Sequence, residues 1–263
     1  MDRLLYIFDL DGVIYRGKVP QPFAREALLA LRQNGKQIYF LTNNATKSRQ
    51  EVADKLTAMG VQAAPDEVMT SSHATGLWFQ ENGHSGKTVM IIGEDGCHRE
   101  LQEAGMVTTP PVPDTPADFV VVGLDRDFTY QKLFWAQRAI LNGATFIATN
   151  RDATYPFEDG VMPGGGSLVA CVAEAVGHQP LTIGKPETYA VEKILQITGI
   201  PKAQSAVVGD RLDTDILLGS RAGIFTYLVL GGVNTEEDVQ TAPDDQKPDA
   251  IIDNLMGLLE TGQ

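Results

Sequence analysis

This sequence predicts an α/β fold organised on a mainly parallel sheet. Short apolar, strand-like runs alternate with helical segments along the chain, the pattern of repeated strand–helix units. Four of those runs are followed by polar residues with chemical capability, as at the strand ends of an open parallel sheet, where ligands bind. There are also more units than one tidy sheet would hold, so an inserted α/β module is expected in the middle of the chain.

The run LLYIF (4–8) reads as a buried strand. Residues 22–34 read as a helix, stopped by Gly35 where a left-handed cap residue is wanted. QIYFLT (37–42) is a second strand, and 48–60 a helix with Ser48 as N-cap and Gly60 as stop. EVMTSS (67–72) is a short third strand leading into a helix near 73–82. A strand at 88–93, a helix through 97–105 and a Pro-rich break at 108–116 follow. Strands at 118–125 and 145–150 flank a helix at 130–143, in which Phe134 and Trp135 widen the apolar stripe, for core packing before a dimer contact. Residues 158–177 read as a Gly-rich turn running into a helix. The last units are PLTIGKP (180–186), a helix at 188–198, a strand at 205–210, a helix across 213–223, a strand at 225–231 and a final segment at 249–259.

At 263 residues with 43% hydrophobic content the chain can bury a real core. The formal net charge of −13 argues against nucleic acid, whose phosphates need Lys and Arg, and against adsorption to anionic lipid. An anionic substrate would need local neutralisation by a metal or a few placed cations. Cys97 and Cys171, the two cysteines, fit no metal-ligand spacing and read as free thiols of a reducing compartment. No apolar stretch reaches the roughly 18 residues of a membrane span, and the N-terminus does not read as a signal peptide. A cytoplasmic location is expected.

The polar strand-end residues are Asp9 and Asp11, then Thr42, Asn43 and Asn44, then Lys185, then Asp210. Clustered carboxylates need a cation beside them. A hard divalent ion such as Mg²⁺ takes oxygen ligands of the kind Asp9 and Asp210 offer, together with water and phosphate. Lys185 adds a point charge for a phosphoryl group, and Thr42 and nearby amides can donate to its oxygens. Residues two apart on an extended segment face the same side roughly 6–7 Å apart. One of Asp9 and Asp11 can therefore attack while the other protonates a leaving group.

DLDGVIY (9–15), LTNN (41–44), GKP (184–186) and GDRLDTDI (209–216) together resemble, in order, the four motifs of the haloacid dehalogenase-like hydrolases. TNRDATYP…PGGGSL and LVLGGVNTEEDV…KPDAIIDNL resemble the p-nitrophenylphosphatase-like branch. The resemblance covers nearly the whole chain. It implies a Rossmann-like core over 1–83 and 180–263, with a smaller α/β cap inserted over 84–179. It also implies that Asp9 is a nucleophile forming an aspartyl-phosphate, and that Asp11 is general acid and then base. Thr42, Asn43 and Asn44 would bind the phosphoryl group, and Lys185 would neutralise it. Mg²⁺ would be held by Asp9, Asp210 and the Asp11 carbonyl, with Asp215 supporting that site. Tyr155, Phe157 and neighbouring residues of 151–166 are the candidate contacts to the leaving group. The expected substrate is a small phosphorylated metabolite: a sugar phosphate, nucleoside monophosphate, phosphoglycolate or pyridoxal phosphate. A homodimer through the cap is compatible.

PGGGSL (163–168) reads either as a helix-opening turn or as a substrate-facing loop of the cap. SGKT (85–88) lacks the first glycine of a P-loop, since position 81 is Glu81. The four histidines form no cluster, and Asp213 reads as a solvent-facing or capping acid. A signalling receiver domain would carry adjacent acids on about half this length. A phosphotransferase or mutase using the same aspartyl-phosphate stays open, as does a non-catalytic regulator that binds a phosphometabolite.

Overall fold

The computed structural model describes residues 3–113, 115–157 and 160–260. Six parallel strands form the larger sheet, in the order Ala250–Ile252, Phe225–Val229, Ser205–Gly209, Leu5–Phe8, Gln37–Thr42, Val68–Thr70. Leu5–Phe8 lies at its centre, with Phe8 opposite both Val208 and Phe40. Side chains alternate across a strand, and here both faces are apolar because helices cover both. Tyr6 and Phe8 pack on one side with Leu28, Leu31 and Leu56; Leu5 and Ile7 pack on the other with Phe79 and Ile194.

A second parallel sheet runs Leu181–Thr182, Thr145–Ala148, Phe119–Val122, Thr88–Ile92, Val107–Thr109. It forms the inserted unit. One of its faces buries Met90, Val120 and Phe146 against the helices Tyr130–Leu141 and Gly165–Val176. Its other face contributes Val89, Ile91 and Val121 to the cluster that holds Leu5 and Ile7, so the two units share apolar packing.

Polar contacts also tie them together. Glu100 of the inserted helix Asp95–Glu103 is buried and accepts from the Arg49 N–H at 2.6 Å and Arg49 Nε at 3.1 Å, with His73 Nδ1 at 3.0 Å. These bonds hold its carboxyl below the usual range against the opposing effect of burial. Gly96 lets that helix press on the core, since a Cβ there would come within 2.3–2.5 Å of the Lys47 backbone.

Most expected elements form near their expected bounds. Ser48 caps the helix Arg49–Ala58 in a capping box with Glu51. Four differences stand out. The Gly-rich turn is preceded by a hairpin, Thr154–Phe157 with Gly160–Pro163. The Pro-rich break begins with the edge strand Val107–Thr109. The helix expected across 213–223 opens with a π-turn, Leu212–Ile216, before Leu217–Ala222. Leu181–Thr182, assigned from sequence to the core segment, is hydrogen-bonded to the edge of the second sheet. The sequence reads LTIG as a strand ending near Lys185, but only pairing reveals which sheet it joins. Trp135 packs partly buried on the inserted unit's core, whereas Phe134 is exposed. Both cysteines are free, and among the described residues no helix is long and apolar enough to cross a membrane.

Candidate active site

The chain leaves the central strand Leu5–Phe8 toward neighbours on both sides, which makes its carboxyl end the switch point of the sheet. Asp9 and Asp11 follow that strand, Thr42 ends the next, and Asp210 follows Ser205–Gly209. One pocket is lined by Asp9, Asp11, Thr42, Asn43, Asn44 and Lys185 from the core. Its opposite wall carries Leu124, Arg126, Asn150, Asp152 and Tyr155 of the inserted unit. These follow the strands Phe119–Val122 and Thr145–Ala148, so the carboxyl edges of both sheets meet at one cavity.

Lys185 is the organising cation. Its Nζ lies 2.7 Å from Asp9 Oδ1 and 2.6 Å from Asp215 Oδ1, and all three side chains are buried. Burial opposes its charge, but Asp215 and Asp9 outweigh that and hold the ammonium well above its usual pKa. Asp9 is pushed well above the usual carboxylate range by burial, and further by Asp215 and Asp210, against the lowering effect of Lys185. Asp11 is raised by burial, offset by Lys55 and Lys185.

Asp210 is fully buried and is pushed up to about 7, by burial first and then by Asp215. Its Oδ2 accepts from the Val233 N–H at 2.8 Å, while its Oδ1 is buried with no partner. One oxygen from each of Asp9, Asp210 and Asp215 lies within 4.8 Å of the others. Asp215 is already committed to Lys185 through Oδ1 and to the Arg211 N–H, at 3.2 Å, through Oδ2. The uncommitted Asp210 Oδ1 makes the Asp9–Asp210 side the natural place for a hard cation.

Gly12 shapes that side. It adopts φ 92°, and a Cβ there would fall 2.1 Å from Asp210 Oδ2. Gly12→Ala is therefore expected to displace the Asp210 carboxylate and destabilise the protein by about 1–3 kcal/mol, read from urea denaturation. An unchanged midpoint would show that the close approach is not maintained.

The asparagines differ from expectation in what they offer. The Asn43 side chain lies at the pocket wall but is spent on scaffolding. Its Oδ1 accepts from the Lys185 N–H at 2.8 Å, and its Nδ2 donates to the Lys185 carbonyl at 3.0 Å and to Asp152 at 3.0 and 3.1 Å. Asn44 is exposed and uses Oδ1 to accept from Thr46 N–H and Oγ1. Thr42 Oγ1 accepts from the Asn44 N–H at 3.1 Å, which leaves its hydroxyl proton for a ligand. Tyr155 lines the pocket, its hydroxyl 3.5 Å from Met162 Sδ. The Phe157 side chain lies outside the described residues.

Asp152, Arg126 and Arg211 also line the pocket; sequence reasoning names none of the three, though Asp152 falls within the 151–166 segment expected near the leaving group. Asp152 follows the strand Thr145–Ala148 as Asp11 follows Leu5–Phe8, so the strand-end rule could have flagged it had it been applied to the inserted sheet. Arg126 is bound through two nitrogens by Glu94, and Arg211 by Asp213, the solvent-facing acid.

Family models agree with this geometry. A haloacid dehalogenase-like hydrolase model matches residues 6–107, and a HAD-hydrolase-like model matches 182–258. The chain is 42% identical over 236 residues to an acid sugar phosphatase of Staphylococcus epidermidis, covering 90% of each protein. Among solved structures it resembles a p-nitrophenyl phosphatase of Archaeoglobus fulgidus, with a TM-score of 0.91 and 33% identity over 99% of this chain and 100% of that one. It also resembles a glycerol phosphate phosphatase of Mycobacterium tuberculosis, solved with magnesium, at a TM-score of 0.91 and 33% identity over 98% of this chain and 76% of that one. The same phosphatase has been solved with calcium.

Proposed function

Because the chain belongs to the haloacid dehalogenase-like hydrolases and is a phosphoric monoester hydrolase of that family, we propose that it dephosphorylates small phosphorylated metabolites through an aspartyl-phosphate on Asp9. The observation that carries this reading is the buried Asp9–Lys185–Asp215 arrangement. It fixes one Asp9 oxygen on an ammonium and leaves the other for attack.

The steps follow from the residues. The second oxygen of Asp9 attacks phosphorus, and the bond from phosphorus to the leaving oxygen breaks. Asp11, which burial makes hold its proton to higher pH than a free carboxyl, gives that proton to the departing alcohol. Asp11 then takes a proton from water as the water attacks the acyl-phosphate. Phosphate leaves, and Asp9 is restored. Lys185 and the Thr42 hydroxyl face the negative charge that stays on the phosphoryl oxygens, and positioning of that kind is most of what such a transfer needs.

The donor set fits a divalent cation of the Mg²⁺ kind, held by Asp9, Asp210 and the Asp11 carbonyl with Asp215 behind them. When bound it supplies charge neutralisation for carboxylates and phosphate. A pH consequence follows from the raised carboxyls. A group whose folded pKa lies above its unfolded value stabilises fully below the unfolded pKa and loses that contribution as pH rises through the folded one. Asp210 therefore makes the EDTA-treated protein less stable as pH climbs from about 4 toward 7. Added Mg²⁺ is expected to raise the melting temperature more at pH 7.5 than at pH 5. Equal shifts at both would remove the carboxylates from the metal site.

The inserted unit stands over the site as a cap and excludes water there. Tyr130, Phe134 and Leu141 leave an exposed stripe on it that suits a homodimer contact, which sedimentation would test. The function is tested by phosphate release from a panel of phosphorylated metabolites with Mg²⁺ and with EDTA. Turnover of a few compounds that EDTA abolishes is the expected result. Binding of a phosphorylated compound without turnover would favour the regulator reading. Transfer to an added alcohol in place of water would favour a phosphotransferase.

A further inference from the structure

We propose that Asp152 is a specificity residue: its carboxylate accepts hydrogen bonds from hydroxyl groups of the leaving alcohol, so that sugar and polyol phosphates are preferred. This rests on the hydrolase reading above and names the substrate class of the same pocket.

Asp152 is held in place from three directions. Its N–H donates to Asn150 Oδ1 at 3.1 Å, and its carbonyl accepts from the Gly166 N–H at 2.9 Å. Its two carboxylate oxygens accept from Asn43 Nδ2 at 3.0 and 3.1 Å. The Gly-rich run that opens the helix Gly165–Val176 exists in this geometry to permit that seat. A Cβ at Gly164 would fall 2.3 Å from the Asp152 carbonyl oxygen, and one at Gly166 would fall 2.2 Å from the Arg151 oxygen. The Gly164 N–H donates to the Ala153 carbonyl at 2.8 Å, so the helix start holds the Asp152 loop. PGGGSL thus positions a carboxylate at the pocket wall.

That carboxylate has no task in the phosphoryl chemistry. Among the described residues it makes no ion pair; burial raises its carboxyl above the ordinary range, Lys185 and Arg211 work against that shift, and Asp215 adds to it. Facing a phosphoryl dianion it would only repel. One N–H meets its two oxygens, and a carboxyl keeps further acceptor sites in either protonation state. Asp152 lines the cavity whose core floor carries Asp9, Thr42 and Lys185; on the hydrolase reading that floor takes the phosphoryl group and the inserted wall faces the leaving group. Alcohol hydroxyls are the neutral donors that match the remaining acceptor sites, and such donors are what a hydrogen-bonding site discriminates best.

A clamp between the two units would also explain the Asn43 bond, but a neutral acceptor would serve that purpose equally. Asp152→Asn separates the two roles, since its amide oxygen still accepts from Asn43. The measurement is kcat/KM for glycerol 1-phosphate and glucose 6-phosphate against propyl phosphate, whose leaving group carries no further hydroxyl. The wild type is expected to favour the hydroxylated esters, and Asp152→Asn to shrink that ratio by about 10- to 100-fold. Asp152→Ser, a shorter neutral acceptor, is expected to shrink it likewise. A wild type with no preference overturns the proposal. So does an equal loss on all esters in the variants, complete or partial, because that places Asp152 in the common phosphoryl step. A ratio unchanged in both variants overturns it too. A wild type that hydrolyses no phosphomonoester instead overturns the hydrolase reading itself.

Discussion

Asp9→Asn is expected to lower kcat by about 10⁴-fold or more, because an amide oxygen does not form the acyl-phosphate on which the proposed pathway depends. Stability should move the other way. In the wild type one buried ammonium serves Asp9 and Asp215 at 2.7 and 2.6 Å, and Asp210 is buried near them. Removing the Asp9 charge leaves Lys185 matched with Asp215 and takes away one repelling neighbour. In EDTA the variant should therefore melt at or above the wild-type temperature, most clearly near pH 7.5, where the wild-type acids are more ionised. Steady-state phosphate release and a thermal scan check both halves. Activity within tenfold of wild type would remove Asp9 as nucleophile. Lost activity with a collapsed melting temperature would make Asp9 a structural residue first.

Lys185→Met is expected to abolish activity and also to destabilise the protein, by about 3–5 kcal/mol, the cost of leaving a buried charge without its partner. Lys185 is the one cation among the fully buried side chains described, at 3% exposure. Without it Asp9, already raised by burial, loses the ammonium that pulls it down, and its folded pKa climbs further. Stability is then present at low pH and lost as pH rises, so the deficit should be larger at pH 8 than at pH 5. Denaturant melts at the two pH values measure it. A deficit that is equal at both, or larger at pH 5, would contradict the coupling. The double variant Asp9→Asn/Lys185→Met should be more stable than Lys185→Met alone, since the two sites share one interaction and their effects are not additive.

The sequence by itself determined the parts whose cause is local. An apolar run of four to six residues with a polar residue just beyond it marks a strand and its carboxyl end, and a parallel sheet gathers those ends on one edge. Asp9, Asp11, Thr42 and Asp210 were legible on that ground; Lys185 was read the same way but follows a two-residue strand of the second sheet, and all five meet at or beside the pocket. Ser48 was legible as a cap because the bond it accepts, from the Glu51 N–H, spans only three residues.

The tertiary structure decided what depends on partners distant in sequence. The Asn43 side chain is consumed by Lys185 and Asp152, respectively 142 and 109 residues away. Leu181–Thr182 joins the second sheet only because the edge beside Thr145–Ala148 is there to pair with it. Asp152 becomes a pocket residue because the second sheet turns its carboxyl edge onto the first. Periodicity and capping report which residues are buried or end an element. They carry no information on which edges face each other, and that is where hydrogen-bond partners and the electrostatics of buried groups are set.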